Sequence, residues 1–348
     1  MALGGAIAAH FASQADACER LGSPFTARLC RMLVGIVDDT TRTGRRILGW
    51  PGNPGADALA LRICGGLHRL VIENADAALV AAYPPNASDD ATLLAAVRNA
   101  IRQHDDALFS AFDSPPQTNE IARSAMLLPG FLTVASETGL PLALCEIGAS
   151  GGLNLLFDRF CYHYGTSEWG DGTSPVKIAP ELRSDTLPLE GCLDVISRRG
   201  CDIAPVDVST RDGQVRLRSY VWADQTARLE RLHGATALAA KHPYSLEKAD
   251  AAAFVARQIA NRPAGAAFVL FHSIMWQYMP RETKDTILTT LEEAGAKASP
   301  DAPIARLRME PLDPKDGWAT LSLTTWPGGE TRRLAKCDFH GRWIEWTA

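Results

Sequence analysis

The sequence predicts an α/β protein: a mostly parallel sheet with an antiparallel C-terminal edge, preceded by a helical N-terminal extension. Three observations carry this expectation. Residues 1–113 place apolar side chains at helical spacing. From residue 114 onward, apolar runs suited to buried strands alternate with amphipathic segments, the pattern of a parallel sheet covered by helices. Near the C-terminus the pattern turns to short alternating runs split by Pro327-Gly328-Gly329-Glu330, as in a hairpin.

In the extension, Phe25 to Val37 is apolar at helical spacing. Leu59 to Tyr83 sets Leu67, Leu70, Val71, Ala75, Ala78, Leu79 and Ala82 on one broad face, ending at Tyr83-Pro84-Pro85. Asp89 or Asp90 can cap a helix carrying Leu94, Val97, Ile101, Leu108 and Phe112. Asp113-Ser114-Pro115-Pro116 breaks it and sets the expected boundary between residues 1–113, a lid or dimer face, and 114–348. Beyond it, Leu140 to Ile147 reads as a buried strand and Leu153 to Phe160 as a helix. Cys161 to Leu189 reads as a hairpin excursion or insertion. Asp194 to Asp202 is a strand candidate, Val215 to Lys241 a long helix, Tyr244 to Asp250 a short strand and Ala251 to Ala260 a helix. Ala266 to Phe271 is a strand buried on both faces, and Arg281 to Ala294 a helix. Strands around Leu307 and Met309, at Thr320 to Trp326 and at Thr331 to Cys337, with Gly341 to Trp346, complete the edge.

Composition narrows the function. A net charge of −5 disfavours nucleic acid as the main partner and favours a small-molecule substrate. With 46% hydrophobic residues, the chain has material for a large core without disulfide staples. Its eight cysteines form no C-x-x-C pair and read as buried or inert thiols. His163, His233 and His242 lack zinc-site spacing, so no metal is expected. Met1 to Ala12 lacks the basic start and long apolar run of a signal peptide. No stretch approaches the roughly 18 apolar residues of a membrane span, so a cytoplasmic protein is expected.

The chemistry concentrates where the strand at 140–147 meets the next segment. The run ends in Glu146, followed by Gly148-Ala149-Ser150-Gly151-Gly152 and Asn154. Small residues there let a ligand approach the backbone, and a helix start offers unpaired N–H groups. Asp202 ends another strand candidate in Asp202-Ile203-Ala204-Pro205. Asp250 precedes the helix at 251–260, either as its cap or as a ligand contact. Asn119 and Arg123 lie just upstream of the glycine strand; Arg123 either pairs with Glu120 on the surface or binds a ligand carboxylate. His272 follows the buried run at 266–271, at the strand end where parallel sheets place their sites, and is a candidate general base.

This order resembles the class I S-adenosylmethionine-dependent methyltransferase fold, a Rossmann-like seven-stranded sheet whose last strand is antiparallel. The resemblance rests on Glu146, Gly148, Ser150 and Gly152, on Asp202-Ile203-Ala204-Pro205, on Asp250 and on Phe271-His272-Ser273. It implies S-adenosylmethionine as cofactor. The turn would wrap its methionine part, Asp202 hold the ribose hydroxyls and Asp250 lie near the adenine amine. The interval from Glu146 to Asp202 exceeds the usual spacing of about 20 residues, so Cys161 to Leu189 must be an insertion. Otherwise Glu168 or Asp171 is the ribose acid. The whole chain is also similar to a bacterial family of uncharacterised proteins, through Gln117-Thr118-Asn119-Glu120, Arg199-Gly200-Cys201-Asp202, Val221-Trp222 and His340-Gly341-Arg342-Trp343.

Three other readings stay open. The turn could serve a nicotinamide oxidoreductase, although its Gly-x-Ser-x-Gly-Gly pattern is not the full fingerprint. Ser150 formally fits a hydrolase nucleophile elbow, with Asp250 and His272 or His340 to follow. The fold could also persist as a non-catalytic ligand-binding protein or scaffold.

Overall fold

Six consecutive buried residues, Leu142–Ile147 (β1), have covered neighbours on both faces, as a strand inside a parallel sheet requires. The computed structural model describes residues 4–313 and 315–348. The later strands are Cys161–Tyr164 (β2), Ser167–Gly170 (β3), Lys177–Ile178 (β4), Glu181–Leu182 (β5) and Val195–Asp202 (β6). They continue with Ser245–Lys248 (β7), Ala267–Ser273 (β8), Ile304–Glu310 (β9), Ala319–Trp326 (β10), Glu330–Cys337 (β11) and Trp343–Trp346 (β12). Nine of them form one sheet in the order β5-β12-β11-β10-β9-β8-β1-β6-β7, and β3-β2-β4 form a small second sheet.

From β7 to β9 every neighbouring pair is parallel. β10, β11 and β12 then fold back as an antiparallel meander, and β5 adds in parallel at the edge. The chain is therefore α/β with a large, mostly parallel sheet. The edge has the hairpin expected and is broader than the single antiparallel last strand that the methyltransferase resemblance implies; the short turn after Trp326 leaves no room for the crossover that a parallel return needs. The register aligns Glu146 with Gly200 and Phe271, and His272 with Arg308. Glu146, Asp202, His272 and Glu310 thus all stand at the carboxyl edge of the parallel strands.

The chain forms two compact units: Met1–Thr118 with Thr210–Leu229, and Asn119–Ser209 with Glu230–Ala348. The first is helical. It differs from the expected 1–113 region by a boundary five residues later and by taking in Thr210–Leu229. Its core holds Phe11, Leu33, Ile63, Leu67 and Val97, all fully buried. The expected helix from Leu59 to Tyr83 is two, Leu59–Ile72 and Ala77–Ala82. Asn74 between them takes φ 54°, and Asp76 caps the second. The expected helix from 215 to 241 is also two, Arg211–Ser219 and Thr226–Ala239. Asp224 in the break accepts hydrogen bonds from the Ser23 hydroxyl and the Phe25 N–H, which holds the bend against a helix start.

In the sheet unit, Ser124–Thr138 packs on the sheet through Phe131, which stacks on Phe157 at 4.1 Å and meets Phe271 edge-on at 5.1 Å. Such pairs add about 0.5–1.5 kcal/mol each beyond burial. Gly130 permits the close approach: a Cβ there would lie 2.4 Å from Leu307. Ala251–Ala260 and Arg281–Gly295 bury Phe254, Val255, Ile287 and Leu291 in a core with Ile147, Phe268 and Leu270.

Candidate functional site at the carboxyl edge of the sheet

β1 ends in a turn with three residues in the left-handed region: Gly148 at φ 65°, Ser150 at 53° and Gly152 at 73°. For Ser150 this conformation costs about 1–2 kcal/mol, so the surroundings must hold it. Asp202 does so from the end of β6. Its Oδ2 accepts the Ser150 N–H at 2.9 Å and its Oδ1 the Ala204 N–H at 2.9 Å. Asn119 holds the far side, its Oδ1 accepting from the N–H groups of Gly151 and Leu153 at 3.2 and 3.0 Å. The Tyr244 hydroxyl donates to the Gly151 carbonyl at 2.6 Å.

These bonds revise one expectation. The amides after the turn are offered to Asn119 instead of standing open at a helix start. Leu153–Arg159 is also a 3-10 segment kinked at Leu156 and not an α-helix. Leu153, Asn154, Leu155, Leu156 and Phe157 are all buried, and only Asp158 and Arg159 at its end reach the surface.

Glu146 is 3% exposed, and its Oε2 has no hydrogen-bond partner. Burial pushes its carboxyl well above the ordinary carboxylate range. The nearby Asp202 charge adds to that, while Arg123 draws it partly back. The Ser150 Oγ and Asn154 Oδ1 are likewise buried without a partner. Asn154 spends its amide donor on the Glu120 carbonyl at 3.4 Å. Arg123 donates to the backbone carbonyls of Phe339, at 2.9 Å, and Ser273, at 3.3 Å. His340 stands with Nδ1 4.0 Å from Glu120 Oε2. The turn is walled by side chains: a Cβ on Gly148 would meet Met275 at 2.8 Å, and one on Gly152 the Tyr244 ring at 2.5 Å.

The end of β8 is built differently. His272 is fully buried. Its Nδ1 lies 2.7 Å from Glu310 Oε1 and its Nε2 3.4 Å from Arg306 Nη2. Trp276 stacks on the imidazole at 4.9 Å, and the Arg306 guanidinium sits 4.4 Å from the Trp276 ring centroid. Glu310 Oε1 also accepts the N–H groups of Met275 and Trp276, at 3.1 and 3.2 Å. Burial pushes the His272 pKa down. Burial alone would raise the Glu310 carboxyl, but its bonds to His272 and the two amides hold it below the ordinary range. The consistent state is a neutral imidazole that donates from Nδ1 to a carboxylate and accepts at Nε2 from arginine. Burial also lowers Arg306, to about 10, which still leaves it cationic. Ile274, next along, takes φ 51°, an outlier for a β-branched residue.

The structure therefore gathers the 148–152 turn, Asn119 and Asp202 in one hydrogen-bonded neighbourhood, with Asn154 beside it and Glu146 close to Asp202 and Arg123. Asp250 is the N-cap of Ala251–Ala260, its Oδ1 accepting from Ala252 and Ala253. Glu168 is bonded to His163 in the small sheet, and Asp171 accepts from Thr173; neither bonds to the turn. Sequence reasoning passed over Tyr244, Met275 and Glu310. Glu310 carried a usable signal: like Glu146 and Asp202, it is an acid that ends a strand.

A family model described as "Uncharacterized protein conserved in bacteria (DUF2332)" matches residues 8–346, and the chain belongs to that family. No curated protein and no solved structure matches the chain.

Proposed function

We propose that this family member is an S-adenosylmethionine-dependent methyltransferase acting on a small-molecule or protein acceptor, with the cofactor at the Gly148–Gly152 turn. The observation that carries the reading is the group of buried, unpartnered acceptors around that turn: Glu146 Oε2, Ser150 Oγ and Asn154 Oδ1. Buried polar atoms are normally bonded, so a cluster of orphans beside a strained turn suits a ligand that brings donors. Two neighbouring acids, Glu146 and Asp202, suit a cationic ligand. An ammonium or sulfonium would relieve the repulsion between them. An anionic pyrophosphate would aggravate it, with the turn amides already given to Asn119, so a nicotinamide dinucleotide fits less well. The order β7-β6-β1-β8-β9 numbers as 3-2-1-4-5 within the parallel set, the order of doubly wound nucleotide folds. Ile203 stands beside Asp202 at 75% exposure and offers an apolar surface that a purine would cover.

The bound cofactor supplies an activated methyl group for in-line attack. Glu146, Ser150 and Asn154 would fix its amino-acid part. Asp202 would hold the ribose hydroxyls from the end of β6, in addition to bracing the turn. His272 has no exposed surface and both ring nitrogens engaged, so its part is to position the 273–276 loop through Glu310. Acceptor alignment then carries the transfer, which needs no dedicated base when the acceptor atom is already nucleophilic. The hydrolase alternative lacks the required bond, since Ser150 Oγ meets no histidine.

A non-catalytic scaffold is the second reading. Asp202 and Asp250 both have structural tasks, and Met275 and Tyr244 fill the faces of Gly148 and Gly152. Calorimetric titration with S-adenosylmethionine and S-adenosylhomocysteine, beside NAD and ATP, separates the readings. Selective binding of the adenosyl pair, weakened in Asp202→Asn, supports the cofactor site; binding without turnover across a broad acceptor screen favours a non-catalytic binder, and binding of neither compound favours a scaffold.

A further inference from the structure

A second cluster lies in the small sheet, bonded to nothing at the glycine turn. Along β2 the side chains alternate. Tyr162 and Tyr164 are buried, and their hydroxyls donate to the Phe157 and Ala125 carbonyls. Cys161, itself buried, and the half-buried His163 therefore share the opposite face. On β3, Glu168 pairs with His163 in register and Gly170 with Cys161; on β4, Lys177 pairs with Cys161. The contacts run in line. Cys161 Sγ lies 3.5 Å from His163 Nε2, and His163 Nδ1 lies 2.9 Å from Glu168 Oε1.

We propose that Cys161, His163 and Glu168 form a nucleophilic thiol site that takes acyl groups from activated esters. The arrangement has the three parts such chemistry needs: a nucleophile within hydrogen-bond reach of a base, and a third group orienting the base. Glu168 accepts from Nδ1–H, which leaves the Nε2 lone pair facing the thiol. Burial first, then Glu168 and Asp171, push the Cys161 thiol up, while Lys177 draws it down, so the resting nucleophile is the thiol and not a preformed thiolate. In the step, the Cys161 S–H proton passes to His163 Nε2 as sulfur bonds to the ester carbonyl carbon. The carbon–oxygen bond breaks and the leaving alcohol takes the electron pair. His163 gives up its proton, to the leaving group or to water, and later hydrolysis of the thioester restores the thiol. Cys161 is only 2% exposed, which restricts the site to small acyl groups.

The comparison thiols lie in the same chain: Cys192 is exposed with no such partners, and Cys337 is fully buried. The test uses the full chain carrying Cys192→Ser, treated with p-nitrophenyl acetate, with p-nitrophenolate release and peptide mass mapping as readouts. The expected result is a stoichiometric burst with one acetyl group on Cys161. His163→Gln should slow it at least about tenfold, within the usual range for losing a general base. Glu168→Gln should slow it less and shift the acid limb of its pH–rate profile, as a positioning residue would. Both side chains are partly or largely exposed, at 33% and 68%, so these variants keep the fold. Acetylation of Cys161 no faster than of Cys337, or at an unchanged rate in His163→Gln, would overturn the proposal.

Discussion

The carboxyl edge of one sheet carries two buried polar groups bonded to different extents. At the end of β8, the His272–Glu310–Arg306 array uses both ring nitrogens, bonds one carboxylate oxygen three times and stacks an indole over the set. At the end of β1, Glu146, Ser150 and Asn154 keep buried acceptors with no donor. Each bond in a buried network rigidifies its surroundings and each unsatisfied group costs stability; the β8 array is the more fully bonded of the two, although Glu310 Oε2 and Arg306 Nε are also without a partner. On the proposed function, the first region supports the fold and the second binds the ligand.

The comparison predicts opposite signs for removing an acid. Glu310→Ala leaves the His272 Nδ1–H and the Met275 and Trp276 amides without an acceptor and should cost about 3 kcal/mol of unfolding free energy, read by denaturant titration. A loss under ~1 kcal/mol would show that the array is not structural. Asn119→Ala strands the Gly151 and Leu153 amides and should cost roughly 2 kcal/mol, with loss of adenosyl-ligand binding in calorimetry. Unchanged binding would separate the turn from the site. Glu146→Gln should instead stabilise the unliganded protein at pH 7 by roughly 0.5–2 kcal/mol, within the range of single stabilising substitutions. A carboxyl raised by burial favours folding while it is protonated. That contribution is present below the ordinary value of 4.5 and is lost as pH rises through the folded value, so the gain in Glu146→Gln should fade toward pH 4.

The smallest effect at neutral pH, and the most specific, is acid sensitivity. Neutral His272 contributes stability above 6.5, its ordinary value, and loses it as pH falls below that. Ionised Glu310 contributes above 4.5 and loses it as pH falls through its lowered value. The denaturant midpoint should decline from pH 7 to 4 in the wild type, and His272→Asn should flatten the upper part of that decline. A parallel curve in the variant would mean that the imidazole does not titrate with folding.

The sequence shows the parallel strands well because burial on both faces writes continuous apolar runs, as at Leu142–Ile147 and Ala267–Ser273. It shows acids at strand ends, and so most of the turn neighbourhood. Which bonds those acids make is hidden, because the partners are distant in the chain: Asp202 braces Ser150 across 52 residues, and Asn119 reaches Leu153 across 34. The His272 environment was illegible for the same reason, since Glu310 lies 38 residues on. Helix breaks at Asn74 and near Asp224 were missed because tertiary hydrogen bonds and a left-handed residue override a continuous apolar pattern.

The most direct measurement is the melting temperature of wild type and Glu146→Gln, each with and without saturating S-adenosylhomocysteine. The account predicts a crossing: the variant melts higher alone, and the wild type rises more with ligand because only its carboxylate gains a cationic partner. Equal ligand shifts in both proteins, or none in either, would contradict the assignment of the glycine turn as the binding site.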